Sequence, residues 1–312
     1  MHLLVCDFDG TMANTMRAQD QYGNEIGVLP ACDFAVEQMF GAEGLAYYRE
    51  TGGLRNETPG QVVRRVLSFD PKMVEVGRDF FFRNSSKYEG HVPLGLGGSF
   101  EWVDGCEDVA LTELWVRLKL QRLTDQIGTE TVDGSIWPDE MPGLSDFWRH
   151  ASGDEQIVIG VVSSGHDLFI SKWLEARGLV QPDILISDDI IRGLSYPEGQ
   201  SYLSKPGPLP LHLAYEGFRN LYGDELDSFV MIGDDAYKDG RMAWRGGAQF
   251  IHFDGRREDP FIHFDHELRF NDWSYLQEAL EHTHTTMRDG VGLYELVREL
   301  LSSEIGRRGV ER

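Results

Sequence analysis

Cysteine is scarce in this chain: Cys6, Cys32 and Cys106 are the only three among 312 residues. Three scattered thiols cannot build a disulfide framework, and no CxxC spacing offers a thiolate metal site. The odd count reads as free thiols in a reducing compartment. Positive charge is scarce as well, with 29 Lys and Arg against 52 Asp and Glu and a net charge of −23. Phosphate backbones and anionic membrane surfaces are held by clustered Lys and Arg, so this balance speaks against nucleic acid and against a membrane as partners. Long apolar runs are missing too. The N-terminal run Leu3 to Cys6 is too short for a signal-peptide core, and no stretch approaches the roughly 20 apolar residues of a membrane helix. There is no internal repeat and no low-complexity tract. What remains is an ordinary globular mix, 41% hydrophobic and 26% charged, in a chain long enough for about two domains. The expectation is a soluble cytoplasmic protein.

Five short apolar runs rich in β-formers read as buried strands. They are residues 2–6, 157–162, 183–186, 229–232 and 248–253. Between the later ones lie stretches with apolar spacing of three and four, such as Leu168, Ile170, Trp173, Leu174, Leu179 and Leu211, Leu213, Ala214, Phe218, Leu221. Strands alternating with helices predict βαβ units and a parallel sheet, whose ligand crevice lies outside the C-terminal strand ends. Four of the five runs end in, or are followed by, a residue able to do chemistry: Asp7, Ser163, Ser187 and Asp234.

The long segment between the first two strands differs. Residues 33–50, 58–69, 71–83 and 108–127 read as helices, with Thr58-Pro59 as a cap followed by proline at the first helical position. A Gly-rich stretch from about Glu89 to Gly105 interrupts them. The organisation expected is a discontinuous core of residues 1–17 and 132–285, an all-helical insertion over 18–131, and an amphipathic tail helix over 286–312.

Asp7-Phe8-Asp9-Gly10-Thr11 stands where the first strand stops. Two carboxylates two residues apart suit one nucleophile or metal ligand plus one acid–base group. Gly10 and Thr11 let the backbone turn sharply. Ser163-Ser164-Gly165 runs from a strand into a helix N-terminus, a place where hydroxyls and free N–H groups receive phosphate; an ordinary N-cap serine explains the same turn. Ser204-Lys205-Pro206-Gly207-Pro208 sets a lysine before a proline-stiffened helix start. Gly233-Asp234-Asp235-Ala236-Tyr237-Lys238-Asp239 crowds three carboxylates at one strand end, costly through repulsion unless a cation sits among them.

Taken together and in order, these four elements resemble the motifs of the haloacid dehalogenase superfamily, matched by Asp7–Thr11, Ser163, Lys205, and Asp234 with Asp239. The resemblance spans residues 3 to about 254 and implies an α/β fold, a doubly wound, mostly parallel Rossmann-like sheet with an inserted helical cap of the C1 type. It implies Asp7 as the nucleophile forming an aspartyl-phosphate and Asp9 as general acid, then base. Ser163 and Lys205 would hold the transferring phosphoryl, aided by Gly10, Thr11, Ser164 and Gly165. Mg²⁺ would be held by Asp7, the Asp9 main-chain carbonyl and Asp234, with Asp235 and Asp239 bracing that shell. The second Asp is kept in phosphatases and phosphomutases and replaced in relatives that cleave carbon–halogen bonds. In the insertion, Gly52-Gly53-Leu54-Arg55 looks like a substrate-contacting loop, with Arg55 a candidate anion contact; Arg83 and Lys87 are weaker ones. Trp102 reads as packing the insertion, with stacking on a sugar or base as the alternative, and His166 beside the serine turn is not expected to contact the phosphate.

The implied activity is a Mg²⁺-dependent phosphomonoester hydrolase acting on a small phosphorylated metabolite. A sugar phosphomutase of the β-phosphoglucomutase type would need a hinge histidine about ten residues beyond Asp9, where this chain has Gln19-Asp20-Gln21. An inactive binding protein on the same fold is disfavoured by the complete set of catalytic side chains.

Overall fold

The computed structural model describes residues 1–54, 57–88, 101–193, 204–254 and 268–283. The expected tail helix, Arg55 and most of the Gly-rich stretch lie outside them. The chain divides into two compact units, one of Met1–Asn14 with Asp139–Arg312, the other of Thr15–Pro138.

The first unit is built on a six-stranded sheet of order β12-β11-β10-β1-β8-β9. Its strands are β1 (His2–Cys6), β8 (Ile157–Ser163), β9 (Ile184–Ser187), β10 (Ser228–Gly233), β11 (Gln249–Phe253) and β12 (Leu268–Phe270). Every neighbouring pair in it is parallel. Both faces are covered, which is why these strands read as unbroken apolar runs. Leu3 and Val5 join Val158, Val162, Met231 and the helix residues Leu211, Ala214 and Phe218 in one cluster. Leu4 and Cys6 point to the opposite face by the two-residue period of a strand and are equally buried. The strand order reverses between β1 and β8: from β1 the chain's later strands lie to both sides, the arrangement that opens a crevice at the C-terminal strand ends.

The connecting helices are α5 (Leu144–Ser152), α6 (Asp167–Ala176), α7 (Asp188–Gly193), α8 (Leu209–Tyr222), α9 (Arg241–Gly246) and α10 (Ser274–Thr283). Strand β12 and helices α5, α7, α9 and α10 were not among the expected elements. Each is short, and the six-residue helix α7 is too brief for a 3.6-residue period to show. Ser187, the strand-end hydroxyl marked by sequence, accepts a hydrogen bond from the Ile190 N–H at 3.3 Å and so serves that helix.

The second unit contains α1 (Val28–Glu50), α2 (Pro59–Leu67), α3 (Lys72–Tyr88) and α4 (Glu107–Gln126). Thr58 caps α2 as its sequence indicated, in a reciprocal capping box with Gln61. Helix α4 is not a one-sided amphipathic helix: Leu114 through Leu120 are all buried, including Arg117 and Lys119. It packs against α1, α2 and α3 at once and forms the centre of this unit. Its neighbours in the core include Cys32, Met39, Phe40, Tyr48 and Phe81.

Two corrections to the expected organisation follow. The second unit is not all-helical, because it carries two hairpins, β3 (Ala18–Gln19) with β4 (Glu25–Ile26) and β5 (Thr129–Glu130) with β6 (Ile136–Trp137). The boundaries also shift, from 17/18 and 131/132 to 14/15 and 138/139. The cause is turn chemistry that hydropathy does not register. Asp20 accepts from the Tyr22 and Asn24 N–H groups, and Asp133 accepts from the Ser135 N–H beside Gly134 at φ +84°. The hairpins are then tied to each other, Gln21 N–H to the Glu130 carbonyl and Val132 N–H to the Gln19 carbonyl. In the first unit a last pair, β2 (Ala13–Asn14) with β7 (Asp139–Glu140), joins the two segments where the chain leaves and returns. Cys6 and Cys32 are buried free thiols and Cys106 an exposed one.

Candidate active site

Strand β1 is followed at once by Asp7, whose N–H is held by the Ile232 carbonyl of β10 at 2.8 Å. From there the chain folds back on itself: the N–H groups of Met12 and Ala13 both reach the Phe8 carbonyl, and the Gly10 N–H reaches the Ala13 carbonyl. Gly10 has φ +82°, and a side-chain carbon there would collide with the carboxylate of Asp234. Glycine is required twice over, by the backbone angle and by the room that Asp234 takes. Gly233 makes the same allowance on the other strand end, where a Cβ would run into the carboxylate of Asp239.

Those two glycines sit beside a cluster that joins three of the four sequence elements. Lys205 is only 4% exposed, and its Nζ lies 2.5 Å from Asp7 Oδ1 and 2.8 Å from Asp239 Oδ1. Oxygens of Asp7, Asp234 and Asp239 all lie within 4.8 Å of one another. Burial pushes the Asp7 carboxyl well above the ordinary carboxylate range; Lys205 opposes that rise, while the Asp239 and Asp9 carboxylates add to it. Burial alone would lower Lys205, but Asp239 and Asp7 outweigh it and hold the ammonium above its usual value. One lysine among three carboxylates leaves the cluster short of positive charge.

The fourth element, the serine turn, stands at the end of β8. Ser163 Oγ accepts the Gly165 N–H at 2.9 Å. A Cβ on Gly165 would stand 3.1 Å from Ser163 Oγ and 3.3 Å from Asp9 Oδ2, so those two side chains flank one point of the loop. Ser164 is exposed beside them. The Thr11 hydroxyl is fully buried with no hydrogen-bond partner among the described residues, and the Thr11 carbonyl accepts the Trp273 indole N–H at 3.0 Å.

Asp235 touches the cluster through its main chain, its N–H donating to Asp239 Oδ2 at 3.2 Å, while its side chain serves the turn. Its carboxylate accepts the N–H groups of Tyr237 and Lys238, both at 2.9 Å, and caps the short π-turn Ala236–Gly240. Residue i is well placed to cap i+2 and i+3, and the turn holds it there. Asp239, four residues on, enters the cluster itself. The weaker candidates serve their own surroundings. Arg83 pairs with Asp79 on its own helix, Trp102 packs on Phe81, and His166 bonds Asp189 at 2.9 Å.

Two contributors carried no sequence signal. His252 sits in an apolar strand, yet its Nε2–H donates to the Asp234 carbonyl at 2.9 Å. Trp273 lies beyond the last motif, and only the fold brings its indole to the Thr11 carbonyl. The donor set suits a hard cation: three carboxylates, all oxygen, converging where two glycines have cleared space.

No protein-family model matches this chain, and no curated protein matches it. Among solved structures it is similar to a 2-haloacid dehalogenase from Pseudomonas syringae pv. Tomato DC3000, at 16% identity and TM-score 0.44, over 90% of this chain and 99% of that one. It is similar to a HAD phosphatase from Thermococcus onnurineus at 17% identity and TM-score 0.43, over 90% and 98%. A substrate-bound phosphoserine phosphatase gives 17% identity and TM-score 0.36, over 90% and 97%. Likeness at this level bears on neither activity nor substrate. The chain's own features define the class of fold: a doubly wound parallel α/β sheet, with Asp7, Ser163, Lys205 and Asp234 gathered at its C-terminal strand ends.

Proposed function

We propose that this protein is a Mg²⁺-dependent phosphomonoester hydrolase acting on a small phosphorylated metabolite. The observation that carries this reading is the cluster of buried Asp7 and Asp239 with half-buried Asp234 around Lys205, beside Asp9 and Ser163. Such a site is short of positive charge and lies where a parallel sheet receives its ligand. Asp7, Asp234 and Asp239 supply the oxygens for the cation. When bound, Mg²⁺ supplies charge neutralisation for the phosphoryl oxygens.

The chain's own residues account for the remaining chemistry. An Asp7 oxygen forms a bond to phosphorus as the ester P–O bond breaks, and Asp9 gives its proton to the leaving oxygen. Asp9 then takes a proton from water, whose oxygen bonds to phosphorus as the Asp7–phosphorus bond breaks, releasing inorganic phosphate. Lys205 neutralises Asp7 before the first step and the phosphoryl group during both, and Ser163 with the loop N–H groups orients it. The carboxylate at Asp9 supports phosphoester over carbon–halogen cleavage. A mutase finds no support at residues 19–21, where Asp20 holds a hairpin turn through Tyr22 and Asn24.

The test is phosphate release from a panel of sugar phosphates, phosphoglycolate and nucleoside monophosphates with Mg²⁺, alongside Asp7→Asn. The wild type is expected to release phosphate from at least one ester, to lose this with EDTA, and to lose about a thousandfold or more of it in Asp7→Asn, the scale seen when a covalent nucleophile is removed. Silence of the wild type on every ester would overturn the reading.

A further inference from the structure

The ladder between β10 and β11 runs Val230 to Gln249, Met231 to Phe250, Ile232 to Ile251 and ends at Gly233 to His252. The next residue of β10's path is Asp234, where the backbone leaves the sheet. Beyond its last rung a strand end usually frays, because no strand N–H remains to receive its carbonyl. Here the His252 side chain supplies that donor, its Nε2–H meeting the Asp234 carbonyl at 2.9 Å. A carbonyl oxygen only accepts, so Nε2 carries the proton and the tautomer is fixed. The other ring nitrogen is buried and has no hydrogen-bond partner among the described residues, while the ring stacks on Phe250 with centroids 6.0 Å apart. The imidazole is therefore committed to one hydrogen bond, and that bond is to the main chain of a cluster carboxylate.

The geometry points to His252 as a positioning residue for the metal-binding carboxylate of Asp234. By extending the ladder one rung with a side chain, it fixes the peptide from which that carboxylate projects against Gly10. With the rung removed, Asp234 keeps its charge but loses its aim. The cost would fall on cation affinity and not on the chemistry at Asp7. Partners one step behind a metal ligand typically change affinity by about 10- to 100-fold when removed.

This inference rests on the metal-dependent reading above, so the experiment carries a control for that reading. Mg²⁺ binding is measured by calorimetry, and Mn²⁺ binding by electron paramagnetic resonance, on the wild type, Asp234→Asn, His252→Met and His252→Gln. His252→Met is expected to weaken both cations by about 10- to 100-fold with an unchanged circular dichroism spectrum. High Mg²⁺ should restore its kcat while KM for the ester stays put. His252→Gln, which keeps an N–H of similar reach, is expected to recover most of the loss. If His252→Met does not fold, His252→Asn, too short to reach the carbonyl, replaces it with the same expectation. Wild-type affinity in the His252 variant alongside a weakened Asp234→Asn would overturn the role of His252 alone. Wild-type affinity in Asp234→Asn would overturn the metal site itself, and the role of His252 with it.

Discussion

Each unit of the molecule surrounds a shielded cation with oxygens, Arg65 in the second and Lys205 in the first, and the two are handled in opposite ways. In the second unit Arg65 is 15% exposed and pairs with Glu57 at 2.7 Å. Its remaining donors go to the carbonyls of Gly53 at 2.7 Å and Tyr48 at 3.3 Å and to the Thr51 hydroxyl. One positive group meets one negative group, and neutral oxygens take the rest. That set is closed, and it clamps the loop Thr51–Leu54 against α2. In the first unit Lys205 faces Asp7 and Asp239, with the Asp234 carboxylate converging on both. That set is unbalanced in charge: among the described residues one ammonium faces three carboxylates. A buried ion pair is by itself weak evidence of function. The lesson of this pair is that the balance of charge, more than burial, separates a latch from a site.

The sharpest way to break the comparison is Lys205→Met. Removing one partner of a buried charge pair costs about 3–5 kcal/mol, and loss of a charge stabiliser at the phosphoryl lowers kcat by about 10²–10³-fold. Because the three carboxylates are left facing one another, Mg²⁺ is expected to raise the Tm of this variant more than that of the wild type. Equal shifts in thermal unfolding with and without Mg²⁺ would show that the cluster is as closed as Arg65's. Next in size is Arg65→Ala, expected to cost about 2 kcal/mol through its charged hydrogen bonds while Mg²⁺ affinity by calorimetry stays at the wild-type value. A change in that affinity would make the latch part of the site. The smallest effect belongs to Asp235→Ala, where loss of the cap should cost about 1 kcal/mol in denaturant unfolding, again with cation affinity unchanged. Tenfold weaker binding in this variant would return Asp235 to the metal shell.

The sheet was legible because it is buried on both faces. An unbroken apolar run such as His2–Cys6 or Ile157–Val162 has no other common explanation when helical stretches lie between such runs. The short elements were not, since β3 through β6 span two residues each and depend on the side-chain bonds of Asp20 and Asp133. Helix α4 was legible as a helix, but its burial on all sides was not, because Arg117 and Lys119 look solvated in one dimension. Arg117 in fact donates to the Tyr88 carbonyl at 3.2 Å.

The sequence by itself determined which chemistry was available: carboxylates after β1 and β10, a hydroxyl turn after β8, a lysine before a proline. Those identities follow from local order, since strand ends and turns are built from neighbours in the chain. Only the tertiary structure decided how the carboxylates divide their work. Asp235 and Asp239 stand four residues apart in one turn, and its path sends the first to backbone N–H groups and the second to Lys205. It also decided that His252 and Trp273 hold the loops in place, because their partners, Asp234 and Thr11, lie 18 and 262 residues away along the chain. Contacts of that kind arise from strand order and register, which no local pattern encodes.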